Sequence, residues 1–160
     1  MEGAPVAGSA LPSEGTVDAF LGEYPHSLDA KGRLILPAKF RAPLEGGAVI
    51  GMGKNGCLAV YTPTEWDRVA RSAQEMARED DEKLAATRAF FALAQTVVPD
   101  RQGRVAVAPH LREYAGLERD AIVAGALTRV EIWDVARWRE ERSHGEAILA
   151  AKASLPGFGI

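Results

Sequence analysis

The chain has 160 residues, 47% of them hydrophobic, with 19 basic and 22 acidic side chains and a formal net charge of -3. This content supports a packed core and excludes a disordered chain, and the acidic balance excludes a generally cationic nucleic-acid binder, so any such binding must rest on a local patch. A single cysteine, Cys57, excludes an intramolecular disulfide and a cysteine-rich metal site, which makes a reducing compartment the expectation.

Residues 1–19, "MEGAPVAGSALPSEGTVDA", lack a basic n-region and an apolar run of signal-peptide length, and read as a flexible N-terminal tail. No stretch approaches the roughly 18 to 20 apolar residues of a membrane span. A cytoplasmic protein without a membrane partner is expected.

The first ordered stretch, "EYPHSLDAKGRLILPAKFR", has an extended segment, a turn at Ala30-Lys31-Gly32 and a short apolar strand. An Asp before a Gly-containing loop between extended runs is hairpin chemistry. Pro37 then opens a short helix, where its missing N–H costs nothing. A second hairpin follows in "GAVIG…GCLAVY", with Asn55-Gly56 as its turn. Gly51, Gly53 and Gly56 satisfy G-x-G-x-x-G, but a strand pattern follows them instead of a helix, so no dinucleotide site is expected. Thr62-Pro63-Thr64-Glu65 fits a capping box with proline at N1 of the next helix. "DDEKLAATRAFFALAQ" predicts a further helix starting near Asp80 or Asp81, its acidic start being favoured by the helix dipole.

The chain then repeats itself. In "VPDRQGRVAVAPHLR", Asp100, Gly103, Arg104 and Arg112 reproduce the order and spacing of Asp29, Gly32, Arg33 and Arg41. Further on, Trp133 and Trp138 answer to Tyr61 and Trp66 at a slightly longer separation, which requires one net extra residue between Arg112 and Arg129. Pro109 opens the second short helix, Gly116 is placed as its C-terminal stop, and Asp134 caps the last helix. The organisation is therefore a tail over 1–19, copies over 20–78 and 92–144, a linker helix over 79–91 and a tail over 145–160. Units this short are marginal alone, because too little surface is buried. Two copies are expected to interleave about a pseudo-twofold into a mainly β, α+β body with short helices. Its shared core would contain Tyr61, Trp66, Trp133 and Trp138, and its two Asp-x-x-Gly-Arg turns would be neighbours.

Lys31, Arg33, Lys39 and Arg41 occupy a stretch free of acids, as do Arg101, Arg104, His110 and Arg112. Duplicated cationic turns suit phosphate tracks or successive half-sites on a duplex, and an arginine on such an element can read guanine O6 and N7. The same residues are also what two purely structural turns need, each arginine paired with its aspartate. Asp29 and Asp100 are expected to accept backbone N–H groups and to orient their arginines in a bidentate grip, with Gly32 and Gly103 permitting the turn. A duplicated aspartate pair without a convergent histidine or nucleophile gives no catalytic site. His26, His110 and His144 have no metal-ligand spacing, His26 being placed on a strand surface and His110 beside the basic patch.

The residues "GEYPHSLDAKGRLILPAKFR", "GCLAVYTPTEW" and "PDRQGRVAVAPHLREYAGLERDAIVAGALTRVEIW" resemble the MraZ family, bacterial transcriptional regulators with two tandem SpoVT/AbrB-type domains. The resemblance spans most of residues 20–140. It implies a swapped-hairpin AbrB-like β-barrel within one chain and a ring-shaped homo-oligomer located at the nucleoid. It further implies recognition of double-stranded promoter DNA at short repeats upstream of division and cell-wall genes, including the protein's own operon. From the motifs themselves, no cofactor, metal, small-molecule substrate or enzymatic activity is expected. Carried over, the DNA-facing residues are Arg33, Lys31, Arg104 and Arg101. The second copy departs from the first in reading Val107-Ala108-Pro109 against Leu36-Pro37-Ala38, which moves the proline by one. An oligomeric, antitoxin-like interaction module on the same body is the alternative reading.

Overall fold

The computed structural model describes residues 19–151 and Gly157. In chain order its elements are β1 (Glu23–Ser27), β2 (Arg33–Ile35), α1 (Ala38–Arg41), β3 (Ala48–Met52), β4 (Leu58–Tyr61), α2 (Pro63–Met76) and α3 (Asp81–Ala92). The second half adds β5 (Gln95–Val97), β6 (Arg104–Ala106), α4 (Pro109–Ala115), β7 (Asp120–Gly125), β8 (Arg129–Asp134) and α5 (Val135–Ala151). The expected tail over 1–19 lies outside the described residues up to residue 18, as does the 145–160 tail after Ala151, Gly157 aside. The helix closing the second copy runs through Gly145 to Ala151, so the boundary expected at residue 144 falls inside it.

All ladders are antiparallel, in a six-stranded sheet ordered β1-β7-β8-β4-β3-β5 and a separate two-stranded ribbon, β2-β6. Exchanging each strand for its counterpart in the other copy returns the same order reversed. The pseudo-twofold therefore passes through the Ala59↔Glu131 pair of the sheet and the Leu34↔Val105 pair of the ribbon. Each copy's first strand pairs with the other copy's hairpin: β1 lies on β7, and β5 on β3.

Two expectations change here. Each first turn closes locally, Asp29 N–H donating to Arg33 O at 2.9 Å and Asp100 N–H to Arg104 O at 3.0 Å, but no hairpin ladder extends from it: beyond the Leu28↔Leu34 bridge, all five residues of β1 pair with β7. Among the described residues the ladders leave an open sheet with β1 and β5 as edges and form no closed barrel. The repeat register is also refined. Val49 pairs with Tyr61 as Ile122 pairs with Trp133, so the separation of β3 from β7 exceeds that of β4 from β8 by one position. Two residues are gained in the helical connection and one is lost in the hairpin turn, which gives the net excess of one.

The turn residues explain both changes. In the second copy α4 has seven residues with Pro109 at its start, and Gly116 ends it in the left-handed conformation at φ 66°. In the first, Pro37 precedes a four-residue helix that continues into a 3-10 turn over Ala42–Leu44. Asn55 and Gly56 supply φ of 65° and 81° for the β3–β4 turn, and a strand follows, so the glycine triplet builds a hairpin and no phosphate loop.

The main core lies between the ribbon and the inner face of the sheet. Leu34, Leu36, Val105, Val107, Phe40 and Leu111 meet Ile50, Leu58, Val60, Val123, Val130 and Ile132 there. Each fully buried aliphatic side chain of this kind contributes about 1.5–3 kcal/mol relative to exposure. The aromatic residues expected in this core are elsewhere. Side chains alternate along a strand, so Leu58 and Val60 point inward while Ala59 and Tyr61 point outward. Tyr61 and Trp66 form one outer cluster with Val49 and Phe90, and Trp133 and Trp138 form another with Cys57, Ile122 and Ala124. Trp66 stacks on Phe90 at 5.6 Å and meets Phe91 edge-on, so α3 covers the first cluster. Among the described residues the second copy has no counterpart of α3, and the Trp138 indole Nε1 is buried with no acceptor. Among the described residues no helix is long and apolar enough to cross a membrane.

Candidate nucleic-acid interface

The ribbon brings the two duplicated turns together. Asp29 Oδ1 accepts the backbone N–H of Lys31 and of Arg33 at 2.9 Å each, and Oδ2 accepts Arg33 Nε at 2.8 Å. Asp100 does the same for Gln102 and Arg104, with distances of 2.9, 2.9 and 2.8 Å. Each aspartate thus closes its own turn and fixes its own arginine through Nε alone, in place of the bidentate grip expected, because its other oxygen is taken by the turn amides. Among the described residues no acceptor engages the Nη atoms of either arginine, which leaves the planar, donor-rich ends free.

These hydrogen bonds hold both carboxyls below the ordinary value of 3.8: the backbone N–H of Arg33 acts first on Asp29, and that of Arg104 on Asp100. Both aspartates are therefore charged at neutral pH, and each local Asp–Arg pair is balanced. The excess positive charge comes from Lys31 and Arg101, both exposed. Those two residues are not equivalent. Lys31 corresponds to Gln102 and Arg101 to Ala30, so the turns share a scaffold and differ in where the second cation sits.

On the ribbon, Leu34 and Val105 point into the core, whereas Arg33, Ile35, Arg104 and Ala106 share the outer face. Arg33 pairs with Ala106 and Arg104 with Ile35. A diagonal of two residues along and one strand across places their Cα atoms about 8 Å apart. The result is a narrow antiparallel ribbon with one aspartate-oriented arginine on each side of the local axis and a turn at each end.

Arg41 and Arg112, which the sequence places only in the basic clusters, complete the scaffold. Arg41 Nε donates to Leu36 O at 2.9 Å, and Arg112 Nε to Val107 O at 3.1 Å. Each guanidinium then lies over the other copy's turn glycine: a Cβ on Gly32 would sit 2.7 Å from Arg112 Cζ, and one on Gly103 2.8 Å from Arg41 Cζ. Backbone bonds run crosswise too, from Leu36 N–H to Gly103 O at 2.8 Å and from Val107 N–H to Gly32 O at 3.0 Å. The duplication of Arg41 as Arg112 was the available signal. That each serves the opposite turn could not be read from spacing.

The other candidates lie apart. Lys39 is exposed on α1. His110 Nε2 is 2.9 Å from Leu93 O, at the end of α3. His26 is half-buried on β1, where burial and then Arg41 lower its pKa. Thr62 caps α2 through Glu65 N–H at 3.1 Å, but the Glu65 carboxylate does not reach back as a capping box requires. It accepts Arg68 and, at 3.2 Å, the Thr128 hydroxyl of the second copy.

Fold and site together define a class: a two-repeat α+β protein whose copies share one core and present paired arginine turns on a two-stranded ribbon. The chain belongs to the MraZ family, whose model, described as "MraZ protein, putative antitoxin-like", matches residues 19–89 and again 90–154. It is 46% identical over 141 residues to the transcriptional regulator MraZ of Salinispora arenicola, covering 87% of this chain and 99% of that one. The protein of the same name from Frankia casuarinae is 46% identical over 86% of this chain and 98% of its own. That of Acetivibrio thermocellus is 41% identical over 85% and 98%.

Proposed function

We propose that this protein is a transcriptional regulator that binds double-stranded promoter DNA in a sequence-specific way through the β2–β6 ribbon and its two turns. The observation that carries this is the symmetric outward pair Arg33 and Arg104, each anchored at Nε by its own aspartate. An antiparallel ribbon is narrow enough for the major groove, and a guanidinium held with its Nη edge outward matches guanine O6 and N7. Relatives named as transcriptional regulators over nearly their whole length support the same reading. In this reading Arg33 and Arg104 read bases, Lys31 and Arg101 meet phosphates, and Asp29, Gly32, Asp100 and Gly103 hold the turns in shape. The two SpoVT/AbrB-type repeats cover residues 20–78 and 92–144 and build the swapped-hairpin arrangement of that domain type. The targets are short promoter repeats upstream of division and cell-wall genes, including the protein's own operon, and the protein works in the cytoplasm at the nucleoid as a homo-oligomeric ring. A ring repeats one cationic face many times, which reconciles the acidic net charge with DNA binding.

The test is binding to the protein's own upstream DNA and to scrambled DNA of equal length across a salt series, with wild type and Arg33→Ala in parallel. Wild type should prefer the promoter and weaken with salt, and Arg33→Ala should lose about 10-fold or more of that preference. A folded Arg33→Ala protein with unchanged preference would refute the site assignment. Absence of any preference in the assembled wild type would favour the antitoxin-like interaction module.

A further inference from the structure

The fold carries two unmatched surfaces. One is an apolar groove of about 920 Å³ between α2, α3 and the end of β3, walled by Met52, Tyr61, Val69, Ala73, Met76 and Phe90. No described residue fills it, and Met76 at its mouth is 39% exposed. The second is the end of α5. This helix starts beside the β3–β4 turn, where Arg137 donates to Gly56 O, and crosses the sheet to β1, where Arg142 reaches Glu23 at 3.4 Å. Beyond Arg142 it continues for about 13 Å at the usual rise per residue. Along that length only Ile148 is half-buried; Leu149 is 42% exposed.

The overhang ends in Ala147-Ile148-Leu149-Ala150-Ala151, and the stretch that follows, "KASLPGFGI", adds Leu155, Phe158 and Ile160. The described overhang therefore ends in apolar residues, Ile148 and Leu149, that join none of the described core clusters, and the sequence after it is apolar as well. The groove's walls contain Ser72, Ala73, Ala86 and Ala89, small residues that let a helix or extended segment approach closely. Along its described course the helix does not bring the arm to its own chain's groove. The arm leaves past β1, whereas the groove lies on the β3 half, four strands away and so about 19 Å across the sheet.

We propose that the arm formed by the end of α5 and the residues after it seats in the α2–α3 groove of a second copy of this chain. Such a junction is heterologous, one partner giving the arm and the other the groove, so repetition closes into a ring or runs on as a filament. The inference rests on the homo-oligomer reading above and names the contact that makes it.

Light scattering on the full-length protein tests it with two variants, Leu149→Glu in the arm and Met76→Glu at the groove, both at exposed positions, with circular dichroism checking that each keeps the fold. Wild type assembles, and each variant alone falls to the mass of one protomer, a loss of assembly of tenfold or more in concentration. Mixed one to one, the variants give a dimer that grows no further, because Leu149→Glu keeps its groove and Met76→Glu keeps its arm. Assembly of either folded variant at wild-type strength would overturn the proposal, as would a mixture that stays monomeric. An assembly lost on removing residues 1–18 but insensitive to Leu149→Glu would give the groove to that segment and also overturn it. A monomeric wild type would instead remove the homo-oligomer reading on which the inference stands.

Discussion

Gly32→Ala tests whether the two turns are clasped crosswise. Gly32 has φ +77°, a conformation that costs an L residue about 1–2 kcal/mol. The new methyl would also sit 2.7 Å from Arg112 Cζ and 2.9 Å from its Nε. That guanidinium is the far end of a flexible side chain, so it will move rather than strain the backbone. Moving it breaks the 3.1 Å bond from Nε to Val107 O, a loss of about 1 kcal/mol for a part-buried hydrogen bond. The sum is about 2–3 kcal/mol, read as a lowered urea midpoint at fixed protomer concentration. In an Arg112→Ala background there is no guanidinium to displace, and the same substitution should cost only its backbone share, about 1–2 kcal/mol, leaving about 1 kcal/mol of coupling. An Arg41→Ala background should show no such coupling, because Arg41 serves the other turn. Gly32→Ala at wild-type stability would refute the reasoning, as would coupling to Arg41 in place of Arg112.

Asp29→Asn and Asp100→Asn should lower stability and, in the proposed function, promoter affinity, by releasing the arginine Nε and the turn amides. Because both folded-state carboxyl pKa values lie below 3.8, this stabilisation is present above that value and lost as pH falls through the folded pKa. The wild-type advantage over the Asn variants should therefore be flat around neutral pH and shrink as pH falls below 3.8; a difference that grows on acidification would contradict the assignment. Burial pushes the Cys57 thiol up to about 12, so at about pH 8 it should resist a thiol reagent until urea unfolds the chain, and prompt native labelling would show the site to be open. Leu34→Ala removes a fully buried side chain on the pseudo-twofold and should cost about 2–5 kcal/mol by urea unfolding, with a loss under about 1 kcal/mol showing that this pair is not a core contact.

Local chemistry is legible in the sequence wherever a residue's role depends on its near neighbours. Asp29 reaches Lys31 and Arg33, Thr62 caps the turn beginning at Pro63, Asn55-Gly56 bends a hairpin and Gly116 ends a helix, all within a short span of chain. The duplication was legible for the same reason, since two copies of one local pattern announce themselves by spacing. The sequence by itself therefore determined the turns, the caps, the two-copy organisation and the aspartate-to-arginine grip. Where each copy finds its partners was decided only in three dimensions. Backbone pairing is indifferent to side-chain identity, so β1 is as able to lie on its own copy's strands as on β7, and only the shared core selects the exchange. The same selection sends Tyr61 and Trp133 to the outer face, because the alternation of side chains along a strand gives Leu58, Val60, Val130 and Ile132 the inside. It also sets Arg41 over Gly103 and Arg112 over Gly32, contacts between residues distant in the chain that no spacing rule joins.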